Sequence, residues 1–233
     1  MPRAGVWACD SNIMAQPSTT VSRLPEKQRT SRRQLEELLD STPLATIAVI
    51  RDGPPAIFPI GFVRMGDELV IHGSTGSPWL RALARGASVA VAVTTLDGVL
   101  VARSAFESSF QYRSACLFGT FEQIPGEDKV RYLETLTDTF IPGRVAELRA
   151  SSRKELAATM ALRLLIGDSN WSLKIGDGWS EDPEEDIAAG VWAGIVPLTT
   201  HYGEPQRSPD CDPEIPVPAS VRAMRGVLTN RRE

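Results

Sequence analysis

The residues best suited to chemistry cluster between Leu69 and Arg85. Leu69, Val70, Ile71 and His72 read as a strand, Gly73-Ser74-Thr75-Gly76 as a small polar turn, and Pro78 to Arg85 as a helix with Ser77 at its N-cap. A helix start offers unpaired backbone N–H groups and a partial positive charge, and Ser74, Thr75 and Ser77 add hydroxyl donors. Gly73 and Gly76 leave the backbone open to close approach. That combination suits an anion, a phosphate group above all. The same residues also suit a capped helix after a tight turn that binds nothing. Their spacing matches neither the P-loop nor the dinucleotide fingerprint.

A second set stands at two neighbouring strand mouths, where Arg103-Ser104 closes one strand and Tyr112-Arg113-Ser114 opens another. The planar donor fork of arginine and the flat apolar face of tyrosine suit a phosphate or an electron-poor ring; a solvated rim is the bland alternative. His72 and His201 are the only histidines, which excludes His-rich metal patterns, and no nucleophile elbow is present. His72, beside the polar turn, is the one placed to touch a ligand. Arg81 and Arg85, at helical spacing, read as a solvent face, and Glu181 to Asp186 as a solvated acidic loop. Trp192, in an apolar run, reads first as core and second as a stacking platform.

Positioning these residues requires a core, and 233 residues with 42% hydrophobic content can build one. We expect one main domain over 23–203, an N-terminal tail over 1–22 and an extended C-terminal tail over 204–233. Ser31 and Gln34 form a capping box ahead of Leu35, Leu38 and Leu39, predicting a short helix that ends before Pro43. Strands follow at Leu44 to Arg51, Ala56 to Arg64 and Leu69 to His72, with a turn at Asp52-Gly53-Pro54. After the helix come Ser88 to Thr95, a hairpin turn at Asp97-Gly98, Val99 to Ser104 and a long strand from Tyr112 to Ile124. Helices are expected at Asp128 to Phe140 and Ser152 to Ala158, then strands at Leu162 to Ile166, Trp171 to Ile175 and Val191 to Leu198. Only a weak helix near Pro218 to Arg225 interrupts the end of the chain. Six strands with one helix inserted after the third describe a mainly β fold with helices (α+β), an antiparallel small barrel rather than a doubly wound sheet.

The balance of 25 Lys plus Arg against 29 Asp plus Glu, a net charge of -4, leaves no electrostatic footprint for nucleic acid. Cys9, Cys116 and Cys211 are odd in number and widely spaced, arguing against a disulfide framework or a structural zinc site. No run reaches the length of a membrane span or of a secretory signal core. A cytoplasmic protein with no membrane partner is the expectation.

Together, Leu69 to Ser77 (LVIHGSTGS), Leu96 to Phe106 (LDGVLVARSAF), Tyr112 to Gly119 (YRSACLFG), Ile141 to Arg144 (IPGR) and Val191 to Leu198 (VWAGIVPL) resemble the pyridoxamine 5'-phosphate oxidase-like, FMN-binding split-barrel family. The likeness runs from about Arg23 to Ala219 and points to the branch with the Nim-type nitroimidazole reductases. It implies a homodimer of split barrels with FMN in clefts shared by the subunits. In that arrangement His72, Gly73, Ser74 and Ser77 surround the phosphate, and Pro59 and Ile60 run past the flavin ring. Arg103, Ser104, Tyr112 and Arg113 complete the cleft with Trp192 nearby. Related sequences often carry Arg or Lys after the second serine of the turn; here Pro78-Trp79 stands there, weakening the site or handing the charge to Arg81. The resemblance implies a flavin-dependent oxidoreductase acting on a small electron-poor molecule, nitro-aromatics among them, with His72 tuning the flavin. The alternative is a non-enzymatic binder or store of flavin, haem or a deazaflavin, in which His72 or His201 would ligate a haem iron.

Overall fold

The computed structural model describes residues 18–50 and 54–224. Most of the N-terminal tail, most of the Asp52-Gly53-Pro54 turn and the last nine residues lie outside the described residues. Ten strands join in one antiparallel system: β1 (Gln28–Arg29), β2 (Leu44–Val49), β3 (Ala56–Met65), β4 (Glu68–Ser74), β5 (Ser88–Val101), β6 (Ser109–Thr120), β7 (Glu122–Gln123), β8 (Thr159–Leu165), β9 (Trp171–Gly176) and β10 (Gly194–Pro197). Their order is β1-β9-β6-β5-β2-β3-β4-β8-β7, with β10 added to β5. Because β6 runs directly into β7, which pairs β8, the path β6-β5-β2-β3-β4-β8-β7 returns on itself and describes a six-stranded barrel. Gly119 makes the bend near that junction, at φ 152°, a backbone conformation that residues with a Cβ rarely adopt.

Alternation along each strand decides what faces the barrel interior. Ala45, Ile47 and Val49 of β2, Val89, Val91 and Val93 of β5, and Ala115 and Leu117 of β6 are buried. Two helices plug the interior. In α1 (Arg32–Ser41) the Ser31 hydroxyl accepts the Gln34 N–H, and Leu35, Leu38 and Leu39 are buried. α2 (Pro78–Ala84) buries Leu80, Ala82 and Leu83. Each such leucine is worth about 1.5–3 kcal/mol when fully buried, so these short helices are held by packing rather than propensity. α3 (Gly126–Phe140) lies outside, with Tyr132 and Leu136 in a second cluster with Val63, Val70, Ile124 and Ala161. The capping box at Ser152 and Glu155 opens α4 (Arg153–Ala158).

Two expectations are corrected here. Asp97-Gly98 is not a hairpin turn: β5 runs unbroken through both residues, and the pairing with β6 slips between Leu96 and Gly98. A bulge takes up the extra residue, so the turn dipeptide kinks the strand instead of ending it. Nor is Glu181 to Asp186 simply a solvated loop, since α5 (Glu184–Ala188) forms there and the Asp182 carboxylate is buried.

The outward face of β3, β2, β5 and β6 bears Pro59, Thr46, Ala92 and Cys116 side by side. Exposed Leu96, Val99, Phe110 and Val196 continue it toward β10. The final segment carries α6 (Ala219–Ala223), anchored where the Ser220 N–H and hydroxyl donate to the Glu147 carboxylate. Among the described residues no helix is long and apolar enough to cross a membrane.

Candidate functional site

The site begins where two strands part. β3 and β4 pair only from Met65–Glu68 to Phe62–Ile71, yet β4 stays paired to β8 as far as Ser74 and β3 stays paired to β2 as far as Ala56. Beyond Gly61 and His72 each strand therefore follows a different neighbour. The resulting mouth has Pro59 and Ile60 on one lip and His72, Gly73 and Ser74 on the other. α2 fills the space behind it. The Leu80 Cδ1 methyl lies 2.5 Å from where a Cβ on Gly73 would stand, so glycine at 73 admits the helix as well as exposing backbone. From the same helix Trp79 stacks on Phe58 of β3, ring centroids 4.5 Å apart and planes within 8°.

Several donors of the polar turn are engaged within it. The Ser77 N–H donates to the Ser74 carbonyl and the Gly76 N–H to the Ser74 hydroxyl. Thr75 donates both its N–H and its hydroxyl to the Ala158 carbonyl. The Ser77 hydroxyl, at the N-cap position, makes no capping bond, and Pro78 supplies no N–H. Arg81 folds back so that its guanidinium donates to the Thr75 carbonyl at 3.4 Å. The His72 imidazole makes no hydrogen bond or ion pair among the described residues; only the backbone of His72 is paired, in register with Ala161 of β8. Although part of it meets solvent, the atoms packed around the imidazole disfavour its charged form and lower its pKa. The other histidine, His201, shares a 2.9 Å hydrogen bond with the Thr199 hydroxyl.

The second set behaves differently. Arg103 donates its backbone N–H and its guanidinium to Asp182, at 3.1 and 2.9 Å, and the Ser180 hydroxyl reaches the same carboxylate. Desolvation pushes the Asp182 carboxyl upward, but the Ser180 hydroxyl and the two Arg103 donors outweigh it and hold the pKa below the usual range. Arg113 forms a two-pronged ion pair with Asp97 in the β5 bulge, at 2.9 and 3.1 Å. Ser104 accepts the Glu107 N–H and shapes the loop after β5. The Tyr112 ring covers Gly176, and the Trp192 ring covers Gly194 while remaining 66% exposed, so Trp192 is not core. The structure thus gathers Pro59, Ile60, His72, Gly73, Ser74 and Ser77 at one mouth. Arg103, Ser104, Tyr112, Arg113 and Trp192 sit around the β5, β6 and β10 ends. Phe58, Asp97 and Asp182 were missed from the sequence. Only the charge count hinted at the aspartates, because their arginines are 16 and 79 residues away.

The pyridoxamine 5'-phosphate oxidase family model matches residues 31–170. The chain belongs to this family. No curated protein matches it. Among solved structures, the FAD and heme binding protein from Mycobacterium smegmatis is 68% identical, with a TM-score of 0.85 over 88% of this chain and 100% of that one. The flavocytochrome Anf3 from Azotobacter vinelandii is 33% identical, with a TM-score of 0.82 over 89% and 96%. A candidate 5-nitroimidazole antibiotic resistance protein from Bacteroides thetaiotaomicron shares the fold at 14% identity, with a TM-score of 0.53 over 63% and 86%. In this family member the split between β3 and β4 gathers Pro59, Ile60, His72, Gly73, Ser74 and Ser77, and leaves the other candidate residues at the β5, β6 and β10 ends.

Proposed function

We propose that this chain is a flavin- and haem-binding redox protein, with a flavin nucleotide in the β3–β4 mouth and a haem iron ligated by His72. The observation that carries the reading is the 68% identity to a protein that binds FAD and heme, across nearly the whole chain. FAD rather than FMN is the flavin we propose, on the same likeness. The residues present fit both groups. The mouth supplies backbone, hydroxyls and a guanidinium for a flavin nucleotide. His72 is disposed toward the neutral form that ligates a metal, and no protein group competes for it among the described residues. Flavin and haem, when bound, would supply the electron transfer; the chain would hold them in register and exclude water. We further propose a homodimer, joined through the outward face of small and apolar residues around Ala92, Cys116, Leu96 and Phe110, which the described helices leave uncovered.

The test is an absorbance spectrum after reconstitution with FAD and haemin. Wild type is expected to show both chromophores. His72→Ala should lose the haem band and keep the flavin, His201→Ala should keep both, and haem uptake should fall in acid as the imidazole takes a proton. A haem band that survives His72→Ala would overturn the ligand assignment, and uptake of neither chromophore would overturn the function. Sedimentation of wild type and Ala92→Arg tests the dimer: the wild type should be dimeric and the variant monomeric, and a monomeric wild type would refute the interface.

A further inference from the structure

β3 changes partners once along its length, and the change leaves a gap on each of its edges. From Ala56 to Gly61 the strand pairs β2, and from Phe62 to Met65 it pairs β4. The first stretch has the β3–β4 mouth along its free edge. The second has its free edge on the opposite side, where β2 has given way to Pro43 and the end of α1. There the Phe62 N–H donates to the Pro43 carbonyl and holds the chain before β2 against β3. A cavity of about 160 Å³ lies between this stretch, the end of α1 and the end of α3. Leu39, Pro43, Phe62, Val63, Phe140 and Pro142 give it walls of carbon, and the half-buried Tyr202 lines it from the C-terminal segment. The Phe140 ring comes within 3.4 Å of where a Cβ on Gly61 would stand, so it packs on the strand between the cavity and the mouth.

We propose that this cavity binds a neutral molecule built on a single aromatic ring with one oxygen substituent, a phenol in its simplest form, and that the Tyr202 hydroxyl hydrogen-bonds that oxygen. Size sets the first limit. An apolar cavity of about 150 Å³ holds one benzene ring, so this one admits a single ring and not a fused pair. Charge sets the second. Arg64 and Asp40, which also line the cavity, answer each other: Arg64 donates to both Asp40 carboxylate oxygens at 2.9 and 2.5 Å, and a further N–H goes to the Gly66 carbonyl. An ionic guest would therefore bring an uncompensated charge against apolar walls. The hydroxyls set the third. Thr42 accepts the Leu44 N–H and Thr139 donates to the Thr135 carbonyl. The Tyr202 hydroxyl makes no hydrogen bond among the described residues, and it offers both a donor and an acceptor. The rings of Phe62, Phe140 and Tyr202 suit an aromatic guest, whose edge and face they can meet. Tyr202 also lies beyond residue 170, where the match to the family model ends, so the cavity is completed by a part of the chain outside the matched region.

The experiment titrates 4-fluorophenol, fluorobenzene, 4-fluorobenzoate and 4-fluoro-1-naphthol into the full chain and follows each by fluorine NMR. Wild type is expected to bind 4-fluorophenol and fluorobenzene saturably and to take up neither the charged nor the two-ring probe. Tyr202→Phe should weaken 4-fluorophenol about fivefold, the size of one hydrogen bond, and leave fluorobenzene unchanged. A tyrosine that only held the segment in place would weaken both probes alike or neither. Tyr202→Ala, which removes one wall, should weaken both by about tenfold, and saturating FAD should change neither. Four results would overturn the proposal: no saturable binding of 4-fluorophenol to wild type, binding unaffected by Tyr202→Ala, uptake of the benzoate or the naphthol as strong as that of the phenol, or displacement of the phenol by FAD.

Discussion

At the ends of β5 and β6, Arg103 and Arg113 face Asp182 and Asp97, whereas beyond the end of β4 Arg81 faces only a backbone carbonyl. Both regions looked alike as sequence: basic and hydroxyl residues beside strand ends. The difference lies in which charges the fold has already answered. Asp182 ties the segment before α5 to the backbone and side chain of Arg103, and Asp97 holds Arg113 from within a bulge. Those arginines work as fasteners. At the β3–β4 mouth the side chains of His72 and Ser77 have no hydrogen-bond partner among the described residues, and Arg81 has one, at 3.4 Å.

The comparison can be broken most sharply at Asp97. Replacing it by alanine removes the carboxylate from a guanidinium that is only 16% exposed, and should cost about 3 kcal/mol of stability by denaturant unfolding. Flavin affinity should be unchanged in the fraction that is folded. An Asp97→Ala protein as stable as wild type, but with stronger anion binding, would return Arg113 to the ligand site. A smaller effect separates two serines that both sit at helix N-caps. Ser152→Ala should cost about 1 kcal/mol, since its hydroxyl completes a capping box. Ser77→Ala should cost less than about 0.5 kcal/mol, because its hydroxyl caps nothing. Equal losses at the two positions in thermal unfolding would mean that Ser77 serves the helix and not a ligand.

Much of the barrel was legible beforehand because its signals are local. The alternation of Val89, Val91 and Val93 with Ala90 and Ala92, the capping box at Ser152, and Pro142-Gly143 after α3 each act over a few residues. Asp97-Gly98 misled for a physical reason. The dipeptide favours a turn, but a long strand paired on both sides, to β6 along its length and to β10 at its end, gains more by absorbing it as a bulge. Trp192 misled as well: it precedes β10 rather than lying in it, and covers Gly194 from the solvent side.

The sequence by itself determined the class of the fold, the polar turn after His72 and the family to which the chain belongs. Hydrophobic period, caps and turn residues are properties of neighbours along the chain, and they survive without a structure. Tertiary structure alone decided where β3 and β4 separate, that Trp79 lies on Phe58, and which arginines are already neutralised by Asp97 and Asp182. Those outcomes depend on register between strands and on charges brought together from distant positions. The free energy of an arginine is set by the carboxylate beside it in space, a quantity no local pattern encodes.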